Sequence, residues 1–239
     1  IALVFPWLHL QIANGLASFT HSCPNRAFRK RVMELVDFHL NEAMGVDLVN
    51  GRLAAASVLY TFGNYEECSR LLHQIDNDLT YNVIRMCPCT ETYTASFYDI
   101  RDLHERNRKI ARMSIRHIIK SMTAGCVVFL PSATAIAPEP LQYEMQRSLG
   151  TLPGSRDDLE DFWFDWAVVD AKVFLYFMQY LVNSKLHKDV HRDVARDNLR
   201  AEIDEDDQRM AASRKSWLGH KDTAYNLLGW IYMQEERFA

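Results

Sequence analysis

Among the side chains able to do chemistry, His187 and His191 stand four residues apart. On one helix such a pair shares a face and could grip zinc. Lys188, Asp189 and Arg192 surround them and no third ligand follows at a fixed spacing, so an exposed polar face is expected. Cys87-Pro88-Cys89 sets two thiols in a loop, but its single intervening residue falls short of the usual spacing of about two to four. Arg101, Arg106, Arg108, Lys109, Arg112 and Arg116 form a basic stripe. Of these, Arg101, Arg108, Lys109, Arg112 and Arg116 are the candidates for holding phosphate or an acidic partner. The acidic stretches at 157–161 and 202–207 could instead neutralise the stripe within the chain. Single Ser, Cys and His residues are scattered with no nucleophile elbow or triad order. No catalytic residue, metal or cofactor is therefore expected.

These residues must be positioned by helices. The 239-residue chain holds only nine Gly and seven Pro, too few for a sandwich or barrel that turns every ten residues or so. An apolar content of 48% against 24% charged residues suits a chain that buries a core without metals or disulfides. Five unevenly spaced cysteines imply reduced thiols and a cytoplasmic setting. A net charge of −4 supplies no global field for nucleic acid. No apolar run reaches the roughly 18–20 residues that cross a bilayer.

Residues 3–19 carry Leu3, Leu8, Ile12, Leu16 and Phe19, one apolar stripe at helical spacing. Asn25 is a candidate cap for a second helix with Phe28, Val32, Leu35, Val36 and Leu40. Leu53–Phe62 and Tyr65–Leu79 form the clearest pair, joined at Gly63-Asn64, and so short a turn forces them antiparallel. Phe97 to about Phe129 reads as one long helix or two. Residues 131–156, with four prolines, read as a looser connection between a first domain, 1–130, and a second helical segment, 157–239. In that segment Asp157–Asp161 looks like an acidic helix start, followed by a bulky helix from Phe162 to about Val182. The aromatics Trp163, Trp166, Phe174, Tyr176, Phe177 and Tyr180 there suit a core. A turn is expected at Asn183-Ser184, an acidic loop at Glu202–Asp207 and a last helix from Asp222 to Glu235. The chain starts without Met and stops straight after a helical pattern, so it is expected to continue at both ends.

Two segments share a template: a small residue, an aromatic or aliphatic residue three later, then a turn. Ala56, Leu59 and Gly63 fill it in the first, Gly229, Tyr232 and Glu236 in the last. The small residue would let two helices approach closely. Tyr225–Tyr232 and Gly63–Cys68 together resemble the tetratricopeptide repeat in degenerate form, with Cys68 where Ala is usual. The implied fold is all-α, antiparallel helix pairs stacked as a degenerate tetratricopeptide-like bundle. By repeat position Asn50, Leu53, Ser57, Tyr60 and Thr61 would line a concave partner-binding face in the first unit, and Asn226, Trp230 and Met233 in the last.

Over most of its length the chain is also similar to the region following the nucleotidyltransferase domain in large invertebrate proteins of the Mab (cyclic GMP–AMP synthase-like) superfamily. The resemblance rests on Arg52-Leu-Ala-Ala-Ala with Phe62-Gly-Asn-Tyr, the basic helix, the Pro-containing stretch, the bulky Phe174–Leu181 run and Ala224-Tyr-Asn-Leu-Leu-Gly. It implies a carboxy-terminal scaffold in an innate sensing or signalling protein. Catalysis in that superfamily uses a Gly-Ser loop followed by alternating acids on a strand that hold two metal ions. Here Gly154-Ser155 precedes Asp157-Asp158-Leu-Glu160-Asp161, which lacks the alternation, and Asp204-x-Asp206 lies far downstream. The expected function is a non-catalytic scaffold for protein–protein interaction, or for self-association through exposed first and last helices. The alternative is an accessory domain that holds nucleic acid or phosphate on the 101–116 stripe.

Overall fold

A computed structural model describes residues 4–43, 49–79, 83–86, 111–146, 165–213 and 218–238. Within them the chain is all-α, with two three-residue strand pairs set between helices. The helices are α1 (Val4–His21), α2 (Arg26–Ala43), α3 (Asn50–Thr61), α4 (Tyr65–Asp78), α5 (Ile115–Met122), α6 (Glu139–Gln146), α7 (Ala171–Lys185), α8 (Asp189–Ser213) and α9 (Lys221–Phe238). Strand β1 (Ile84–Met86) pairs parallel with β2 (Thr123–Gly125), and β3 (Val127–Phe129) pairs antiparallel with β4 (Ala167–Val169). No helix among the described residues is long and apolar enough to cross a membrane.

The expected pair at 50–79 forms. α3 is built from small residues, and Leu53, Ala54, Ala56 and Val58 are buried along it. Gly63, at φ 81, makes the reversal in a conformation that costs a residue with a Cβ. Cys68 of α4 then donates from Sγ to the Ala56 carbonyl at 3.1 Å, so the helices do touch at the small residue. Arg52 pairs with Asp78 at the far end, as antiparallel packing requires. The last unit differs. Glu236, the expected turn, lies inside α9, and Gly229 faces open space rather than a neighbouring helix.

The core is continuous. Phe129, Phe174 and Phe177 are fully buried at its centre, where the Phe129 and Phe174 rings meet edge to face at 5.5 Å. α7 packs on α3, α4 and α8, and α9 closes over α6, α7 and α8. Residues 131–146, expected to be loose, belong to this core: Pro131–Ile136 forms a 3-10 helix against α1 and α3, with Ala133, Ile136 and Leu141 of α6 buried. Proline at the first turn of a short helix gives up no internal hydrogen bond, which is why the stretch can be ordered.

Two expected helices are shorter than their apolar patterns. Ser114 caps α5 by accepting the His117 amide at 3.3 Å, and the helix stops at Met122. Thr123–Phe129 is extended, because Val127 and Phe129 turn inward while Val128 turns out, the alternation of a strand. Ala167–Val169 repeats that alternation opposite it, so α7 begins at Ala171 and not at Phe162. α7 runs through Asn183 and Ser184 and reverses at His187, which takes φ 55. Glu202–Asp207, expected as an acidic loop, lies within α8. Its inward carboxylates are paired: Glu202 with Lys172 at 2.6 Å, and Asp206 with Lys221 at 3.3 Å and with the Leu218 amide at 3.1 Å. Asp170 likewise spans two elements, accepting the Gly219 and His220 amides at the start of α9. An anion there complements the helix dipole.

Candidate interaction surface

The concave face expected on α3 is not free. Asn50, Leu53 and Ser57 are buried, with Leu53 and Ser57 at 0% exposure. Asn50 donates to the Cys126 carbonyl at 2.8 Å, and Ser57 to the Ile136 carbonyl at 2.6 Å. Thr61 joins the Ile136 carbonyl from half-buried position, and the Tyr60 ring lies 5.5 Å from Tyr65. Burial pushes the Tyr60 hydroxyl up to about 12. The 3-10 segment and β3 thus fill the space a peptide would need. On α9, Asn226 is exposed but donates to Glu144 at 2.6 Å, and Trp230 stacks edge-on against Phe177. Met233 is open, at 52% exposure.

The chemical candidates do not converge. His187 sits in the turn that ends α7 and His191 on α8, so the one-face geometry does not form. Asp204 and Asp206 point apart on α8: Asp204 is exposed near Arg200, whereas Asp206 is buried. Within the described residues the acidic 202–207 stretch is matched by Lys172, Arg200, Arg209 and Lys221. No three His, Cys, Asp or Glu side chains among the described residues are grouped to hold a metal ion. Arg101, Arg108, Lys109, Cys87, Cys89, Trp163 and the 154–161 Gly-Ser and acidic segment lie outside the described residues. Arg112 is exposed just before α5. Arg116 lies within α5, its side chain outside the description.

What the fold does assemble is an apolar strip on α1 and α2. Residues 1–25 contain no Asp, Glu, Lys or Arg. Of the expected stripe, Leu8, Ile12 and Phe19 face outward, at 46%, 37% and 61% exposure, while Leu16 packs partly buried against the core. The inward face of α1 is made of Leu10, Gln11, Ala13, Asn14, Ala17 and Thr20. α1 is therefore apolar on the outside as well, the pattern of a helix that ends up covered.

α2 continues the strip. Val32, Val36 and Leu40 turn inward, while Phe28, Leu35 and Phe38 remain about half exposed. The two helices are tied at both ends, by the Phe19 and Phe28 rings at 6.3 Å and by His9 against Phe38 and His39. His9 and His39 are hydrogen-bonded through their Nδ1 atoms at 2.8 Å, one ring donating and the other accepting. Burial and then His9 lower the His39 pKa. At the α1–α2 turn, Asn25 accepts the Phe28 amide and Arg29 donates to the Cys23 carbonyl, fixing the entry of α2.

No family model, curated protein or solved structure matches the chain. The surface must be judged on its own chemistry. Six large apolar side chains lie on two adjoining helices of 18 residues each, a length of about 27 Å. Isolated exposed hydrophobics are ordinary on a protein surface, whereas six on one helix hairpin are not. The sequence carried a signal for it. Leu10, Ala13 and Ala17 make a second apolar stripe on α1, and only one of two stripes can face the core.

Proposed function

We propose that this chain is a non-catalytic helical scaffold that mediates protein–protein interaction through the outer face of α1 and α2, within a larger intracellular protein. The supporting observation is that Leu8, Ile12, Phe19, Phe28, Leu35 and Phe38 are all exposed on one paired helix hairpin whose first member carries no Asp, Glu, Lys or Arg. Covering these side chains removes apolar area from water at roughly 25 cal/mol per Å². A rigid helical pair loses little entropy on docking. The α3–α4 pair agrees with a degenerate tetratricopeptide-like architecture, and the similarity to the helical region of Mab-type proteins suggests a scaffold in innate sensing or signalling.

The reading is tested by photocrosslinking in cells. A benzophenone side chain replacing Leu35 or Ile12 should yield covalent protein adducts on illumination. The same group replacing Glu205, an exposed residue of α8, should yield none. Equal labelling at all three positions, or none at Leu35 and Ile12, would remove the support for a docking face there.

A further inference from the structure

We propose that the occupant of the α1–α2 strip is a second copy of this chain, bound about a twofold axis with the two α2 helices antiparallel. This rests on reading the strip as a docking surface, and what identifies the occupant is charge. α2 is polarised: Arg26, Arg29, Lys30 and Arg31 fill its first third, and Glu34, Asp37 and Glu42 follow. That order opposes the helix macrodipole, which favours acids at the start and bases at the end. Among the described residues neither half meets an ion-pair partner. Ion pairs among the described residues lie on α3, α4, α7, α8 and α9, and none on α2. Partial burial, then Glu67 and Glu34, hold the Asp37 carboxyl above its ordinary range.

An antiparallel twofold contact supplies the missing partners, because it lays each basic half on the other copy's acidic half. Helical periodicity gives a register. Phe28, Arg31, Leu35, Phe38 and Glu42 recur on one side of α2 at heptad-like spacing. An axis between Val36 and Asp37 sets Leu35 against Phe38 of the second copy and Arg31 against Glu42 of the second copy. Leu8 and Ile12 of α1 flank the same apolar centre. Arg31 and Glu42 lie three turns apart on one chain and cannot pair internally, so any coupling between them must cross the axis.

The test is sedimentation equilibrium of the full chain with a charge-swap cycle. Wild type should show twice the 27.7 kDa chain mass. Arg31→Glu and Glu42→Arg should each weaken association about tenfold, since both symmetric contacts become repulsive. The double variant R31E/E42R should return to within about threefold of wild type. Leu35→Glu should weaken association on the order of a hundredfold. Leu35 is half exposed, so the monomer should keep its helix content. A monomeric wild type, or a double variant as weak as the sum of the singles, overturns the proposal. The Leu35 photocrosslink separates the two readings. An adduct of doubled mass supports the second copy. An adduct with a different polypeptide sinks self-association while sparing the docking surface, and no adduct sinks both.

Discussion

Replacing Asp206 by Ala tests the register of α8 and the way α9 is anchored. Asp206 is 3% exposed, and its carboxylate accepts the buried Leu218 amide at 3.1 Å while facing Lys221 Nζ at 3.3 Å. Removing it leaves one buried N–H without an acceptor, a loss of about 1–3 kcal/mol. Lys221 keeps Asp207, so the weakened ion pair adds no more than about 1 kcal/mol. The sum is about 1–4 kcal/mol, or roughly 3–12 °C in Tm for a chain of this size. Asp204→Ala is the control. Asp204 and Arg200 are both more than half exposed at 3.6 Å, and the change should stay within about 0.5 kcal/mol. Both variants gain the same helix propensity, so their difference isolates the buried contacts. Urea and thermal unfolding followed by far-UV circular dichroism give the comparison. If the two variants unfold within about 0.5 kcal/mol of each other, the inward placement of Asp206 is wrong.

Three further outcomes are expected. Gly63→Ala should cost about 1–2 kcal/mol in urea unfolding, because φ 81 is unfavourable once a Cβ is present although no neighbour crowds it. An unchanged midpoint would mean that α3 and α4 are joined differently. For His39, burial and His9 outweigh the opposing Glu42 and lower the pKa from 6.5. A depressed folded-state pKa means that the unfolded chain binds the proton more readily. Stability should therefore be intact above about pH 6.5 and fall as pH drops through the lower folded value. His39→Asn should flatten that acid limb of the stability curve, and an equally steep limb in the variant would exclude His39 as its source. Finally, burial pushes the Cys68 thiol up to about 12, so it should resist alkylation in the native protein at mildly alkaline pH. Half-buried Cys23 should be modified before Cys68, and mass mapping showing the reverse order would contradict the packing of α4 on α3.

How far the sequence could be read depended on whether the relevant interaction was local. α3 and α4 were legible because small residues, a glycine stop and an amphipathic second helix all lie within thirty residues of one another. The α2 helix and most of α9 were legible by the same periodicity. Thr123–Phe129 and Ala167–Val169 were misread as helix because each is only half of a strand pair, and its partner lies about forty residues away. Glu202–Asp207 was misread as a loop because its charges looked solvated, when Lys172 and Lys221 come from other helices to meet Glu202 and Asp206.

The candidate surface shows the same division. Sequence alone established that α1 is a charge-free helix with Leu8, Ile12 and Phe19 on one side, since helical spacing and side-chain type are local properties. It could not establish which side faces in, because Leu10, Ala13 and Ala17 offer a competing stripe. Only the tertiary structure decided that. The face packed against α2, α3 and the 3-10 segment buries Leu10, Ala13 and Ala17, so Leu8, Ile12 and Phe19 are left outside. The same packing turned Asn50, Leu53 and Ser57 from an expected partner face into core, because β3 and the 3-10 segment occupy the position that a bound peptide would have taken.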